Sequence, residues 1–206
     1  MTLCFVDNNI ILQLAAYNLF EDAINSLNIT WTDLRVLNTA IHVFRGKNIK
    51  RRYSSETVKR AISIVERCQT ILRQPTAELE LLLKVNGMDE GESALIVATA
   101  TESMFWLITG DKRCLEALTN ESSIATIRQR LVGRTICLEQ ILLKLISVHG
   151  CDYVQKRVLV TPDCEKAIKI SFGWSTPADE ASILEALNNY INDLQRKSQG
   201  LLFNLT

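Results

Sequence analysis

The chain is poor in residues that break or loosen structure. With 8 Gly and 3 Pro among 206 residues, it is neither a collagen-like, a linker-like nor a low-complexity chain. It holds only 2 His, His42 and His149. Both are solitary, and His42 falls in an apolar helical stretch where packing is the plain role. The 6 Cys (Cys4, Cys68, Cys114, Cys137, Cys151 and Cys164) include no CxxC or CxH pair, which excludes a zinc ribbon and a thioredoxin-like site. Four of them lie in apolar runs, where a thiol packs as a small hydrophobe, and the pattern fits a reducing compartment. GxxxxGK[ST], GxGxxG and GxSxG are absent, so a P-loop, a dinucleotide fingerprint and a serine nucleophile elbow are excluded. No uncharged stretch approaches the roughly 20 residues needed to cross a bilayer. The opening MTLCFVDNNIILQLAAY has no basic segment and carries Asp7 in its apolar run, against a signal peptide. The expectation is a soluble, cytoplasmic protein with no membrane partner.

No sign of charge is in excess, because 23 Lys and Arg face 23 Asp and Glu. The charges are nevertheless segregated. Residues 35–73 hold ten bases against two acids, and residues 78–121 hold nine acids against three bases. Hydrophobic residues make up 47%, ample for a core.

Leu3-Cys4-Phe5-Val6 reads as a short buried strand that stops at Asp7-Asn8-Asn9. Apolar positions from 12 to 27 recur at helical spacing. The β-branched and aromatic residues 29–32 predict a second strand, and a helix follows over 36–44. A basic segment, 45–52, precedes a helix over about 55–73. Pro75-Thr76 opens a short helix that stops near Asn86-Gly87. Asp89 caps the next helix, and residues 105–109 form a strand turning at Gly110-Asp111 into a helix at 112. A strand over 134–138 and a helix over 139–148 follow. Buried strands alternating with helices predict an α/β fold around a mostly parallel sheet. Beyond Gly150, residues 157–160 read as one more strand, and Thr161-Pro162 and Thr176-Pro177 read as helix starts. A final helix runs over 178–197. The expected organisation is a domain over 1–148 with a mainly helical extension, 149–206, packed on it.

In a parallel sheet, ligands bind outside the carboxyl ends of the strands. Two strands here end in aspartate, Asp7 and Asp111, and Glu92 opens the helix before the second. Converged carboxylates repel one another, and a hard divalent cation, Mg²⁺ or Mn²⁺, resolves the conflict. Each acid also has a structural reading. Asp89-Glu90-Gly91-Glu92 has the form of a capping box, and Asp111 that of a helix cap. Asp7 directly follows four buried residues, so its charge needs a cleft or a partner. The basic run, with Arg45, Lys47, Lys50, Arg51 and Arg52, suits a phosphodiester backbone, or else is a solvated face.

The segments CFVDNNIIL, GMDEGESALIVATA and FWLITGDKRCLEAL resemble a PIN domain, in the subset whose helix opens with Gly-Glu, here Gly91-Glu92. GRTICLEQILLKL, from Gly133, is similar to that family's closing strand and helix. The resemblance covers about 1–148. It implies a three-layer α/β/α sandwich with a central mostly parallel sheet, to which this chain adds its C-terminal helical extension. It also implies Mg²⁺- or Mn²⁺-dependent cleavage of single-stranded RNA. Asp7, Glu92 and Asp111 are then the catalytic metal ligands, and Thr109 is a hydroxyl beside them. Many members are toxins held inactive by a small antitoxin, and often dimeric, so the implied partners are RNA, a small antitoxin or regulatory protein, and a second copy. The family places a Glu in the helix after the second strand. Here ITWTDLRVLNTAIHVF offers only Asp33, slightly early, or the uncharged Asn38. The missing acid is supplied by Asp33, Asp89 or Glu90, or the site is degenerate and the module binds RNA or protein without cutting. A hydrolase of small phosphorylated substrates uses the same acids.

Overall fold

The computed structural model describes residues 2–72, 76–162 and 165–205. Arg73, Pro75 and Cys164, each used in the reading above, lie outside the described residues. Five strands form one sheet: β1 (Leu3–Val6), β2 (Leu34–Leu37), β3 (Gln69–Ile71), β4 (Phe105–Ile108) and β5 (Thr135–Ile136). Their order is β3-β2-β1-β4-β5, and every pairing is parallel. Helices α1 (Asn8–Tyr17), α2 (Phe20–Ser26), α3 (Ala40–Arg45), α4 (Lys47–Arg52) and α5 (Ser55–Arg67) precede β3. Between β3 and β5 lie α6 (Ala77–Leu82), α7 (Glu90–Ala98), α8 (Lys112–Asn120) and α9 (Ala125–Leu131). After β5 come α10 (Leu138–His149), α11 (Cys151–Leu159), α12 (Lys166–Ser171) and α13 (Glu180–Lys197). The fold is an α/β three-layer sandwich with additional C-terminal helices.

The two-residue period of the strands builds the layers. Cys4 and Val6 of β1, with Leu34, Val36 and Ile108, join the core shared with α1, α2, α5 and α10. Phe5, Phe105 and Leu107 point the other way, into a second core with α7, α8 and α9. Both faces of the sheet are therefore covered, which is why its strands read as unbroken apolar runs.

The chain departs from the expected elements in several places, among them residues 36 and 37, expected to open a helix but forming the end of β2. Residues 29–32 are not a strand: Trp31–Asp33 is a 3-10 turn, and β2 begins at Leu34. Thr30 spends its hydroxyl and N–H on the Asp33 carboxylate, and Trp31 packs on Phe20 at 5.6 Å. The helix expected up to residue 27 breaks at Asn18, which adopts φ 54 between α1 and α2. The helix expected over 55–73 ends at Arg67, and Gln69–Ile71 pair with β2 as an edge strand. Residues 157–160, expected to be a strand, belong to the last turn of α11 and its cap. Neither Thr-Pro pair starts a helix. Glu165 precedes α12, and Asp179 caps α13 by accepting the Ser182 N–H at 3.0 Å.

The C-terminal segment returns to the sheet. Leu202 bridges Thr135 in parallel, and the Thr135 N–H donates to the Leu201 carbonyl at 3.0 Å. Gln140 donates to the Phe203 carbonyl at 2.7 Å, and the Phe203 ring stands 5.2 Å from Trp106. This tail covers the edge that β5 would otherwise leave open. Among the described residues no helix is long and apolar enough to cross a membrane.

Candidate functional site

β1 and β4 are neighbours in register, with Val6 opposite Ile108. The residues that follow, Asp7 and Thr109, therefore leave the carboxyl edge side by side. The Asp7 N–H donates to the Ile108 carbonyl at 2.9 Å, which holds the start of α1 against β4. The Asp7 carboxylate is 7% exposed, and Thr109 Oγ1 donates to it at 3.5 Å. The same hydroxyl accepts the Asp111 N–H at 3.2 Å, so Thr109 links the two aspartates.

Asp111 also caps α8. One of its oxygens accepts the N–H groups of Arg113 (2.8 Å) and Cys114 (3.1 Å), and the other accepts from the Arg113 guanidinium at 3.1 Å. Asp89 and Glu92 form a reciprocal capping box on α7, at 2.8 and 2.9 Å. Gly91 lets this box sit tightly over the end of β2. A Cβ there would stand 3.3 Å from Asp89 Oδ1 and 3.4 Å from Leu37 Cδ1. The capping reading of Asp89, Glu92 and Asp111 is thus met by these hydrogen bonds.

The electrostatics record the crowding. Burial first, then the charge of Asp89, push the Asp7 carboxyl up to about 6, although the N–H groups of Asn8 and Asn9 pull it back in part. Burial also raises Glu92, as do the charges of Asp89 and Asp111, against the opposing Asp89 N–H. Asp111 goes the other way. Burial raises it, but the Arg113 guanidinium, the Cys114 N–H and the Glu92 carboxyl together hold it below the ordinary range. Glu92 therefore keeps its proton longest, and Asp111 is the ionised member of that pair.

A cavity of about 10 Å³ lies beneath Asp7, Glu92 and Thr109, walled mainly by Leu95, Ile96, Leu107 and Cys114. Beside it opens a polar cleft of about 290 Å³, lined by Asn9, Arg52, Asp111, Lys112, Arg113 and Glu165. Arg52 reaches it from the end of α4. Arg45, Lys47, Lys50 and Arg51 are exposed on α3 and α4. Asp33 is not brought here. It lies at the amino end of β2, held by Thr30, on the opposite edge from Asp7.

Glu139, Lys112 and Glu165 escaped the sequence reading. Glu139, whose side chain is 5% exposed, follows β5 and pairs with Lys112 at 2.7 Å. Lys112 in turn lies 4.4 Å over the Tyr190 ring of α13. Burial, with the Glu139 charge, raises the Glu165 carboxyl, while Lys112 and Arg52 pull it down. An acid just after a buried apolar run was the signal that singled out Asp7, and Ile136-Cys137-Leu138-Glu139 repeats it.

Among the described residues no three His, Cys, Asp or Glu side chains already form a metal-holding group. By donor chemistry Asp7, Asp89, Glu92 and Asp111 suit a hard divalent cation: all are oxygen donors, and the charges of Asp89 and Asp111 add to the rise at Asp7 and Glu92. Binding one requires Glu92 and Asp111 to share oxygens with the caps they now serve. Comparison with family models, with curated proteins and with solved structures found no match for this chain.

Proposed function

We propose that the protein is a Mg²⁺- or Mn²⁺-dependent endoribonuclease of the PIN type, cutting single-stranded RNA in the cytoplasm. The observation that carries this reading is the convergence of Asp7, Asp89, Glu92 and Asp111 at one edge of the sheet, with Asp7 driven up to about 6 by burial and by its neighbours' charges. Asp7, Glu92 and Asp111 would hold the cation, which when bound supplies Lewis acidity and neutralises the carboxylates. Thr109 keeps Asp7 and Asp111 in register through its two hydrogen bonds. Arg113 fixes Asp111 in its ionised form. Arg52, in the adjoining cleft, is placed to hold a backbone phosphate, and Arg45, Lys47, Lys50 and Arg51 extend that positive surface along α3 and α4. The described cysteines are all free thiols, in keeping with a reducing compartment.

A second reading has its own observation. With Asp33 at the far edge, no acid from the segment after β2 joins the cluster, and Asp89, Glu92 and Asp111 already serve as caps. That arrangement favours a module that binds RNA without cutting it. Cleavage of a labelled single-stranded RNA with Mg²⁺ or Mn²⁺, in wild type and Asp111→Asn, separates the two. Metal-dependent cleavage lost in the variant is the expected result. Equal cleavage by both proteins contradicts the site, and retained RNA binding with no cleavage establishes the second reading.

A further inference from the structure

The basic run that is continuous in sequence divides in three dimensions. α4 keeps its bases at the carboxyl edge. α5 runs back along the sheet into β3, and so carries Arg60 and Arg67 toward the amino edge. A cleft of about 460 Å³ opens there, lined by Arg60, Arg67 and Arg157, by Glu21 and Asp22, and by the rings of Trp31 and Tyr153. That volume falls within the ~300–1,000 Å³ of small-molecule sites.

The guanidinium groups are held by stacking. Arg67 lies 3.5 Å over the Trp31 ring, and Arg157 lies 3.6 Å over Tyr153. Stacking fixes the plane of a guanidinium and leaves its N–H edge available to an acceptor. The nearby acids have other partners. Glu21 pairs with Arg67 at 3.7 Å and Glu56 with Arg60 at 3.4 Å, and Asp22 accepts the Tyr153 hydroxyl at 2.8 Å. Among the described residues no carboxylate pairs with Arg157, and its Nε is buried with no hydrogen-bond partner. The Nε is itself closed to solvent, so an anion in the cleft meets the terminal Nη groups of Arg157 and supplies the counter-charge that the guanidinium lacks. Arg60 and Arg157 also line an adjoining cleft of about 410 Å³, so the two stand on the shared wall.

We propose that Arg60 and Arg157 form a second ligand site, at the amino edge of the sheet, that takes a phosphate group from a free nucleotide or from an RNA backbone. A phosphate presents oxygens in several directions and so engages two guanidinium groups at once. The site shares no residue with the acid cluster and does not depend on metal or on cleavage.

The test uses the full chain in EDTA, with inorganic phosphate, adenosine monophosphate and a short oligoadenylate RNA titrated by calorimetry. Saturable binding is expected, weakened at least tenfold by Arg157→Gln and by Arg60→Gln and unchanged by Lys84→Gln, an exposed base that lines neither cleft. Binding of the monophosphate with no effect of these variants on RNA assigns the site to free nucleotide. A reduction of the RNA salt slope by about one in Arg157→Gln assigns it to a backbone phosphate. The Arg157 Nε–H resonance of wild-type protein gives a reading that needs no variant, and it is expected to shift on adding phosphate. The proposal is overturned if none of the three probes binds, if folded Arg157→Gln and Arg60→Gln bind as wild type does, or if that resonance stays still at saturation.

Discussion

Replacing Asp7 by Asn tests the electrostatic account directly, because it removes one charge and keeps the shape. In the fold the Asp7 carboxyl is raised from an ordinary 3.8 to about 6, chiefly by burial. At about 1.36 kcal/mol per pKa unit, the ionised carboxylate costs the metal-free fold up to ~3 kcal/mol. The sign follows from proton linkage. The folded pKa lies above the unfolded one, so this group's stabilising contribution is complete below about 3.8 and is lost as pH rises through about 6. An Asn amide carries no such charge, but it brings a donor that needs a partner. The net expectation for Asp7→Asn in EDTA at pH 8 is therefore a gain of about 1–3 kcal/mol. For a domain of this size, that is a melting temperature higher by ~3–10 °C. The gain should shrink as pH falls through 6 and vanish near 4. Thermal melts of both proteins across pH 4–8 measure it. A variant that is less stable than wild type by the same amount at pH 5 and pH 8 would refute the reasoning, since the buried charge would then cost nothing.

A divalent cation should reverse that order. Saturating Mn²⁺ should raise the melting temperature of wild-type protein, by about 2.7 kcal/mol of stability at 100 times Kd, and leave Asp7→Asn unmoved; equal shifts in both would place the ion elsewhere. Lys112→Ala strands the buried Glu139 carboxylate. Because Lys112 is itself one-third exposed, the loss should be about 1–3 kcal/mol rather than that of a fully buried pair, and chemical denaturation measures it. The Glu139→Gln, Lys112→Met double variant should recover most of that loss. Leu202→Ala removes a buried side chain from the tail that closes the β5 edge. A cost of about 2–3 kcal/mol is expected, together with faster amide exchange at Thr135.

Much of this protein is legible in one dimension because the relevant physics is local. A four-residue apolar run followed by an acid marks β1 and Asp7. The Asp89–Glu92 spacing marks the start of α7, and the apolar run before Gly110-Asp111 marks β4 and the cap of α8. These patterns depend on chain period and on hydrogen bonds within four residues, so they survive without knowledge of neighbours. Residues 29–32 show the limit of that logic. Their β-propensity is real, but a hydroxyl-to-carboxylate cap and a Trp packed on α2 win there. β3 was invisible for the complementary reason: Gln69–Ile71 is polar and short, and only pairing with β2 makes it a strand.

The sequence by itself determined that strands and helices alternate around buried runs, that acids follow two of those strands, and that bases and acids are segregated along the chain. Tertiary structure alone decided which of these groups meet. The strand order put Asp7 beside Thr109 and sent Asp33 to the opposite edge. The direction of α5 divided the basic run between the two ends of the sheet, and the pairing of Lys112 with Glu139 joined the start of α8 to that of α10. Each of these depends on parallel pairing across long stretches of chain, where no local period records the partner.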